Sequence, residues 1–240
     1  MSLKPSERSV NSSRTSAGRD PLKRLLGAAF LACFAGTESA APAEPASLAT
    51  PLPRAIGLCG SLDNAYGPFD FRTDKHKLEI VERHHFSPQV ETLQHGLTAS
   101  IGADLDYTLR AFPNHHRALY SMMRIADRSA GRPKGAQYPV ECYFERAIRF
   151  RPDDAQVHAL SAFYLMKRKR TDEARRQLDT AAKLEPDDPQ ILYNIGLGYA
   201  DLKEYGKSLE FAHKAYAGGV AFDGLRERLR AAGQWRDAKN

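Results

Sequence analysis

Pro152-Asp153-Asp154 recurs as Pro186-Asp187-Asp188 at an interval of 34 residues, and this repetition decides the fold. Alanine returns at the same interval, at Ala147, Ala181 and Ala215. Proline cannot continue a helix and aspartate is favoured at a helix start, so each copy marks the same helix boundary. The sequence between residues 147 and 221 is therefore predicted to consist of helical hairpins of constant length.

Other positions match between the copies in size and shape. The matched pairs are Ala162 with Gly196, Leu165 with Tyr199, Ala174 with Ser208, and Phe144 with Leu178. A 34-residue period with small and aromatic residues at these positions resembles the tetratricopeptide repeat. The resemblance implies an all-α fold, an α-solenoid of stacked helix-turn-helix units, which as a rule binds other polypeptides on its concave face.

The repeats become less regular toward the N-terminus. We expect a signal at 1–43, a disordered linker at 44–54, an N-terminal segment with a degenerate helical hairpin at 55–112, a repeat with an extended loop at 113–154, repeats at 155–188 and 189–222, and a capping helix and tail at 223–240. In the N-terminal segment, Leu78-Glu79-Ile80-Val81-Glu82 fits either a strand or a helix turn. Ser87-Pro88 is predicted to start a helix that carries Val90, Leu93 and Leu97 on one face.

Residues 1–43 carry the features of an export signal. Lys23-Arg24 precede an apolar run from Leu25 to Ala35, and Ala41-Pro42-Ala43 offers a cleavage site. Phe30-Leu31-Ala32-Cys33 also resembles a lipobox, in which Cys33 would be lipidated. Secretion, lipid anchoring, an uncleaved anchor and the absence of export remain open.

The exported alternatives place the rest of the chain in the periplasm or cell envelope. The segment from Ala103 to His115 resembles exported tetratricopeptide proteins of Gram-negative bacteria, which also implies a periplasmic setting. An uncleaved anchor or a lipid on Cys33 would also associate the protein with the membrane.

The net charge is +6, and half of it lies in the first 43 residues. Residues 44–240 carry 29 basic and 26 acidic groups, a balance that argues against a nucleic-acid binder. The basic run Lys167-Arg168-Lys169-Arg170 falls in a turn between predicted helices. We expect it to be solvated, with an acidic partner or anionic lipid headgroups as alternatives.

Cys59 and Cys142 are the cysteines that remain once the signal is removed. An even number of cysteines in an exported protein predicts a disulfide, which would attach the N-terminal segment to the second helix of the first repeat. A catalytic thiol or a pair of metal ligands are the alternatives, but the C-x-x-C spacing is lacking.

The resemblance also predicts a binding surface on the first helix of each repeat. Carried over by register, its lining would be Gln156, Ala159, Phe163, Met166, Gln190, Tyr193, Asn194, Leu197 and Asp201. Asn194 could bond both the N–H and the C=O of a bound backbone, while Tyr193, Phe163 and Met166 hold apolar side chains. Leu160 stands one repeat before Asn194, which argues against a clamp for C-terminal carboxylates. The expected ligand is a protein or peptide.

The familiar catalytic motifs are missing from the sequence, and neither a cofactor nor a metal ion is expected. The alternative is a hydrolase or metal-dependent enzyme whose site lies where the N-terminal segment meets the solenoid. Its residues would be His84, His115, Asp104 or Asp106. His158 and Trp235 are expected to pack in and over the core.

The heptad Tyr66-Gly67-Pro68-Phe69-Asp70-Phe71-Arg72 combines three aromatic residues with an Asp/Arg pair. One interpretation is a plug in which the aromatic rings cover the open N-terminal end of the solenoid. The other is a ligand-contacting surface with Asp70 and Arg72 as recognition groups.

Overall fold

The computed structural model describes residues 59–238, which contain ten α-helices and no strand. The predicted export signal, the candidate lipidation site Cys33 and the linker lie outside the described residues. The helices are α1 Lys75–His85, α2 Pro88–Glu91, α3 Ile101–Ala111, α4 His116–Ala126, α5 Val140–Phe150, α6 Ala155–Lys167, α7 Thr171–Leu184, α8 Pro189–Asp201, α9 Tyr205–Ala217 and α10 Gly224–Ala231. Within the same range, no helix has the length and apolarity needed to cross a bilayer.

The helices from α4 to α9 form three successive hairpins, and α10 packs against the last of them. The repeated Pro-Asp-Asp motif sets the start of α6 and α8 as the sequence predicts. Asp154 accepts a hydrogen bond from the backbone N–H of Val157, and Asp188 accepts one from Ile191 at 2.9 Å. The all-α repeat fold is thereby confirmed.

Small residues allow the helices of the regular repeats to approach each other closely. A Cβ atom at Gly196 would lie 2.6 Å from Cδ2 of Leu225, and one at Gly198 would lie 2.7 Å from Cδ2 of Leu178. Ala162 is fully buried in the same core. Helix α8 therefore contacts α7 on one side and α10 on the other at positions where a larger residue does not fit.

The N-terminal segment is helical but less regular. Residues 78–82 lie within α1, which decides the question that their sequence left open. The helix after Ser87 has only four residues and ends before Leu93, which has a φ of 61°. Val90 and Leu93 are buried but Leu97 is 46% exposed, so the prediction that these three residues share one helix face was wrong. The helix that would have carried it there ends too early.

Candidate functional site

A groove of about 820 Å³ runs along α4, α6 and α8, the first helices of the three hairpins. Its apolar lining consists of Tyr120, Met123, Leu160, Phe163, Met166, Leu197 and Leu202. Its polar lining consists of Glu91, His116, Arg117, Gln156, Lys167, Thr171, Asn194, Asp201 and Arg228. A continuous apolar floor with polar edges can hold apolar side chains of a ligand while its polar groups stay near water.

Most of the lining residues predicted from the repeat register lie in this groove. They are Gln156, Phe163, Met166, Asn194, Leu197 and Asp201. Gln190 is exposed and lies outside the lining, and Ala159 is fully buried in the core.

Tyr193 is also outside the groove, and its predicted ligand contact requires correction. The side chain is 7% exposed and packs against Tyr216 and Phe222, with ring centroids 6.4 and 6.0 Å away. Adjacent helical residues point about 100° apart, so Tyr193 faces the capping end of the solenoid while Asn194 faces the groove.

Sequence reasoning missed the part of the groove that α4 contributes. Tyr120 and Met123 are three residues apart and line one face of this helix. The repeat register was carried over only through the two regular repeats, which excluded α4. The spacing of Tyr120 and Met123 was the available signal, because residues at i and i+3 share a helix face.

Two amide side chains form a pair between neighbouring repeats. Asn194 Nδ2 donates to Gln156 Oε1 over 3.1 Å, linking α8 to α6 in the groove. This bond uses one donor and one acceptor, and neither amide has another partner within residues 59–238. A carbonyl oxygen and N–H groups therefore remain available to a ligand backbone.

The charged residues of the groove are paired with each other or with neighbours. Arg117 Nε donates to Glu91 Oε1 over 2.7 Å, which holds the pKa of Glu91 below its usual value. Arg228 pairs with Asp201, and Lys167 Nζ lies 2.6 Å from Asp127 Oδ2. Because these opposite charges offset each other, the groove favours a ligand whose main contacts are apolar and neutral.

A buried polar cluster supports the groove wall at His116. The Nε2 atom of this histidine lies 2.9 Å from Asp154, which also accepts a hydrogen bond from Asn114 at 2.9 Å. Asn114 donates a second bond to Asp70 over 2.7 Å. The cluster thus connects the start of α4, the start of α6 and the 66–72 heptad.

The heptad uses its polar groups inside the protein. Asp70 is 4% exposed and pairs with Arg72 and Arg151. Burial by itself would raise the pKa of Asp70, but the hydrogen bonds from Arg72, Asn114 and Arg151 hold it well below the usual range. Phe71 stacks on His115 with centroids 4.3 Å apart. The geometry favours the plug interpretation over recognition of a ligand by Asp70 and Arg72. The surface that the heptad covers is the junction of α3, α4 and α6.

The sequence profile of the family described as Tetratricopeptide repeat matches residues 127–193, from the loop after α4 into α8. This part of the chain is a tetratricopeptide-repeat region. No curated protein matches it. Tetratricopeptide repeats are typically protein-interaction modules.

The four residues of the alternative enzyme site have separate surroundings in the structure. His84 is exposed, whereas buried His115 pairs with Glu82 at 3.1 Å. Asp104 accepts a hydrogen bond from the backbone of Leu97 and lies 3.1 Å from His85 Nδ1. Asp106 accepts bonds from Arg110, Gln137 and Tyr143. The structure therefore does not bring the four together in one cleft.

A metal site is not formed by these residues either. Among residues 59–238, no group of three histidine, cysteine, aspartate or glutamate side chains is placed to hold an ion. His158 is 4% exposed and bonds Gln177 and the carbonyl of Pro152, so it packs as expected. Trp235 is half-buried over the last core cluster, against His213 and Tyr216.

The two cysteines of the described chain are joined as the sequence predicted. The Cys59–Cys142 disulfide links positions 83 residues apart and attaches the start of the N-terminal segment to α5. Arg146, which is 1% exposed, donates to the carbonyl oxygens of Cys59 and Ser61, and Arg149 donates to that of Gly60. Burial lowers the pKa of Arg146. The bond and both arginines hold the same short segment.

Proposed function

We propose that the protein is an exported scaffold that holds an extended, mainly apolar segment of a partner protein in its concave groove, within an assembly of the cell envelope. The observation that carries this proposal is the apolar floor, which is continuous across all three hairpins. The family supplies the general role of protein interaction, and the groove suggests the chemistry of the ligand.

An apolar ligand segment would gain most of its binding energy from the floor. Phe163 and Met166 on α6 lie between Tyr120 on α4 and Leu197 on α8. A Leu, Phe or Met side chain that becomes fully buried contributes about 1.5–3 kcal/mol. Two or three such side chains offset the entropy cost of ordering a short segment.

The amide pair favours an extended ligand over a helical one. Gln156 and Asn194 offer a donor and an acceptor to the same region of the groove. The peptide groups inside a helix are already bonded to each other, whereas those of an extended chain need partners. An extended segment can therefore use both the apolar floor and the amide pair.

The cellular setting in this proposal comes from the sequence. The basic residues, apolar run and cleavage site of residues 23–43 are typical of export. The Cys59–Cys142 disulfide supports the same setting, because disulfides persist mainly in oxidising compartments.

The proposal is tested by placing a photo-crosslinking residue at Leu197 in the groove and, as a control, at exposed Arg176 on α7. We expect crosslinking in cells to join position 197, but not position 176, to one defined segment of an envelope protein. Equal products from both positions, or none from position 197, would contradict the groove assignment.

A synthetic peptide of the captured segment then tests the individual contacts. Phe163→Ala is expected to weaken its binding about 10- to 100-fold, since about 1.5–3 kcal/mol of burial is lost. Asn194→Ala is expected to weaken it about 10-fold. Leu97→Ala, at an exposed position that is not part of the groove lining, is the control and should leave Kd unchanged. Fluorescence anisotropy measures each value.

A further inference from the structure

A second surface of the protein lies at the edge of the solenoid and not in the groove. It is formed by the loop between α4 and α5 and the turn between α6 and α7. Five basic residues define this cationic edge: Arg128, Arg132, Lys134, Arg168 and Lys169. We propose that the cationic edge binds the surface of an anionic phospholipid bilayer.

Contacts between the two segments create the edge. Lys167 Nζ bonds Asp127 Oδ2 over 2.6 Å and so joins the turn to the start of the loop. A Cβ atom at Gly131 would lie 3.9 Å from Arg168 Nη2. Arg170 pairs with Glu141 at the start of α5, just after the loop. These contacts place residues 127–131 of the loop beside the turn, so basic residues about 40 positions apart in the sequence lie near each other.

The charge of this surface is not neutralised locally. Lys167 and Arg170 use the nearby carboxylates of Asp127, Glu141 and Glu173. In the part of the chain that the structure describes, the five residues of the cationic edge have no ion pair. The edge therefore keeps a local excess of positive charge, although residues 44–240 are nearly balanced.

Four of the five side chains of the edge are exposed and able to reach a flat partner, whereas the Nη2 atom of Arg168 is buried. Arg128, Arg132, Lys134 and Lys169 are exposed, and Arg168 is half-buried with its Cζ 5.2 Å from the Tyr164 ring centroid. Long, exposed lysine and arginine side chains can approach lipid phosphates without any rearrangement of the backbone. Each basic residue near an anionic bilayer strengthens binding by about fivefold.

The position of Cys59, where the described residues begin, favours a bilayer over an acidic protein as the partner. Cys59 is bonded to Cys142, which follows Glu141, the residue that pairs with the turn. The chain therefore enters the described structure beside the cationic edge. Residues 36–58 separate this point from the apolar run and can span at most about 80 Å. An uncleaved or lipid anchor would keep the edge within reach of the membrane.

The test measures binding of the full chain to vesicles of phosphatidylglycerol and of phosphatidylcholine at low salt. We expect the wild type to bind phosphatidylglycerol vesicles more tightly, and added salt to remove the difference. The variant Arg128→Gln, Arg132→Gln, Lys169→Gln should bind phosphatidylglycerol about 100-fold more weakly. Comparison with neutral vesicles removes any contribution from the apolar N-terminal run.

A matched control removes the same charge from other exposed positions. Lys183→Gln, Lys214→Gln, Arg230→Gln lowers the net charge by the same amount at positions outside the loop and turn, and should bind vesicles within about threefold of the wild type. The groove variant Phe163→Ala should bind vesicles normally, which separates this proposal from the proposed function. Circular dichroism checks that every variant keeps its helical content.

Three results would overturn the proposal. The wild type could bind both vesicle types equally, the edge variant could bind phosphatidylglycerol as tightly as the wild type, or the two charge variants could lose the same affinity. Binding of the edge to an acidic polypeptide such as polyglutamate, without binding to anionic vesicles, would assign the surface to a protein partner and would also overturn it.

Discussion

The N-terminal region and the regular repeats are both helical, but they are stabilised in different ways. Residues 59–126 have apolar cores, to which a disulfide, buried ion pairs and side-chain hydrogen bonds between distant segments are added. Residues 155–217 depend on close packing of alanine, glycine and leucine between helices. The comparison shows that helices with a repeated sequence stack because their facing surfaces are complementary in shape. A segment without the repeat is fixed to the solenoid by individual covalent and polar contacts.

The links of the N-terminal region converge on the hairpin α4–α5 and the start of α6. Asp70 and Asn114 are both buried and connect the 66–72 heptad to α4, and Asp154 extends the connection to α6. If one of these polar groups were removed, its partners would stay buried without a hydrogen bond. We therefore expect mutations here to act through lost links, and mutations in the repeats to act through cavities.

The largest expected effect comes from removing the covalent link. Cys59→Ala, Cys142→Ala is predicted to lower the free energy of unfolding by about 4 kcal/mol in the chain-entropy model, because the disulfide closes a span of 83 residues. Hydrogen exchange should show faster exchange at α1–α3 while α8 and α9 keep most of their protection. An equal loss of protection in both regions would show that they unfold as one unit and would remove the distinction drawn above.

Leu178→Ala is expected to have the next largest effect, and in the opposite region. Leu178 is fully buried and lies against Gly198, so its truncation should leave a cavity and cost about 3 kcal/mol. Urea denaturation measures the change. Leu97→Ala, at 46% exposure, is the control and should cost less than about 0.5 kcal/mol. A small effect of Leu178→Ala would contradict stabilisation of the repeats by packing.

Asp70→Asn tests the buried ion pairs and should cost about 2 kcal/mol. The substitution removes the charge that faces Arg72 and Arg151, whose side chains are 29% and 38% exposed and can regain part of their hydration. Asp153→Asn is the matched control, because Asp153 pairs with the same Arg72 but is 58% exposed. We expect less than about 1 kcal/mol for the control by urea denaturation. Equal losses for the two variants would mean that burial does not determine how much an ion pair contributes to the free energy of unfolding.

The smallest expected effect is a loss of stability in mild acid. Burial lowers the pKa of His115, so its folded-state value lies below the unfolded value of about 6.5. The unfolded chain therefore binds a proton first, and stability is lost as pH falls from 6.5 toward the folded-state pKa. Between pH 7.5 and 5.5 the loss is limited by protonation of the unfolded histidine to at most about 1.4 kcal/mol.

His115→Asn checks this assignment because asparagine can replace the histidine as the helix cap. The variant should show a flatter dependence of stability on pH between 7.5 and 5.5, whereas exposed His95→Asn should not change it. A further loss is expected below about pH 4, where the lowered pKa values of Asp70, Asp104 and Asp154 give each folded carboxylate less affinity for a proton than its unfolded counterpart. An unchanged slope for His115→Asn would show that this histidine is not the group responsible.

The sequence by itself determined the repeat period, the helix boundaries at residues 154 and 188, the disulfide and most of the groove lining on α6 and α8. These features depend on local rules, because capping residues, helical spacing and the count of cysteines do not require knowledge of distant contacts. The prediction that Tyr193 lines the groove was wrong because adjacent helical residues point about 100° apart. The repeat register assigned Tyr193 and Asn194 to the same surface.

Only the tertiary structure decided which distant residues meet. It placed Tyr120 and Met123 in the groove, buried Asp70 against Arg72 and Arg151, and joined the 127–139 loop to the 167–170 turn. It also separated Asp104 and Asp106 into different hydrogen-bonded surroundings. The physical reason is that each of these contacts depends on how hairpins stack, and stacking is set by the shapes of facing surfaces that no single stretch of sequence contains.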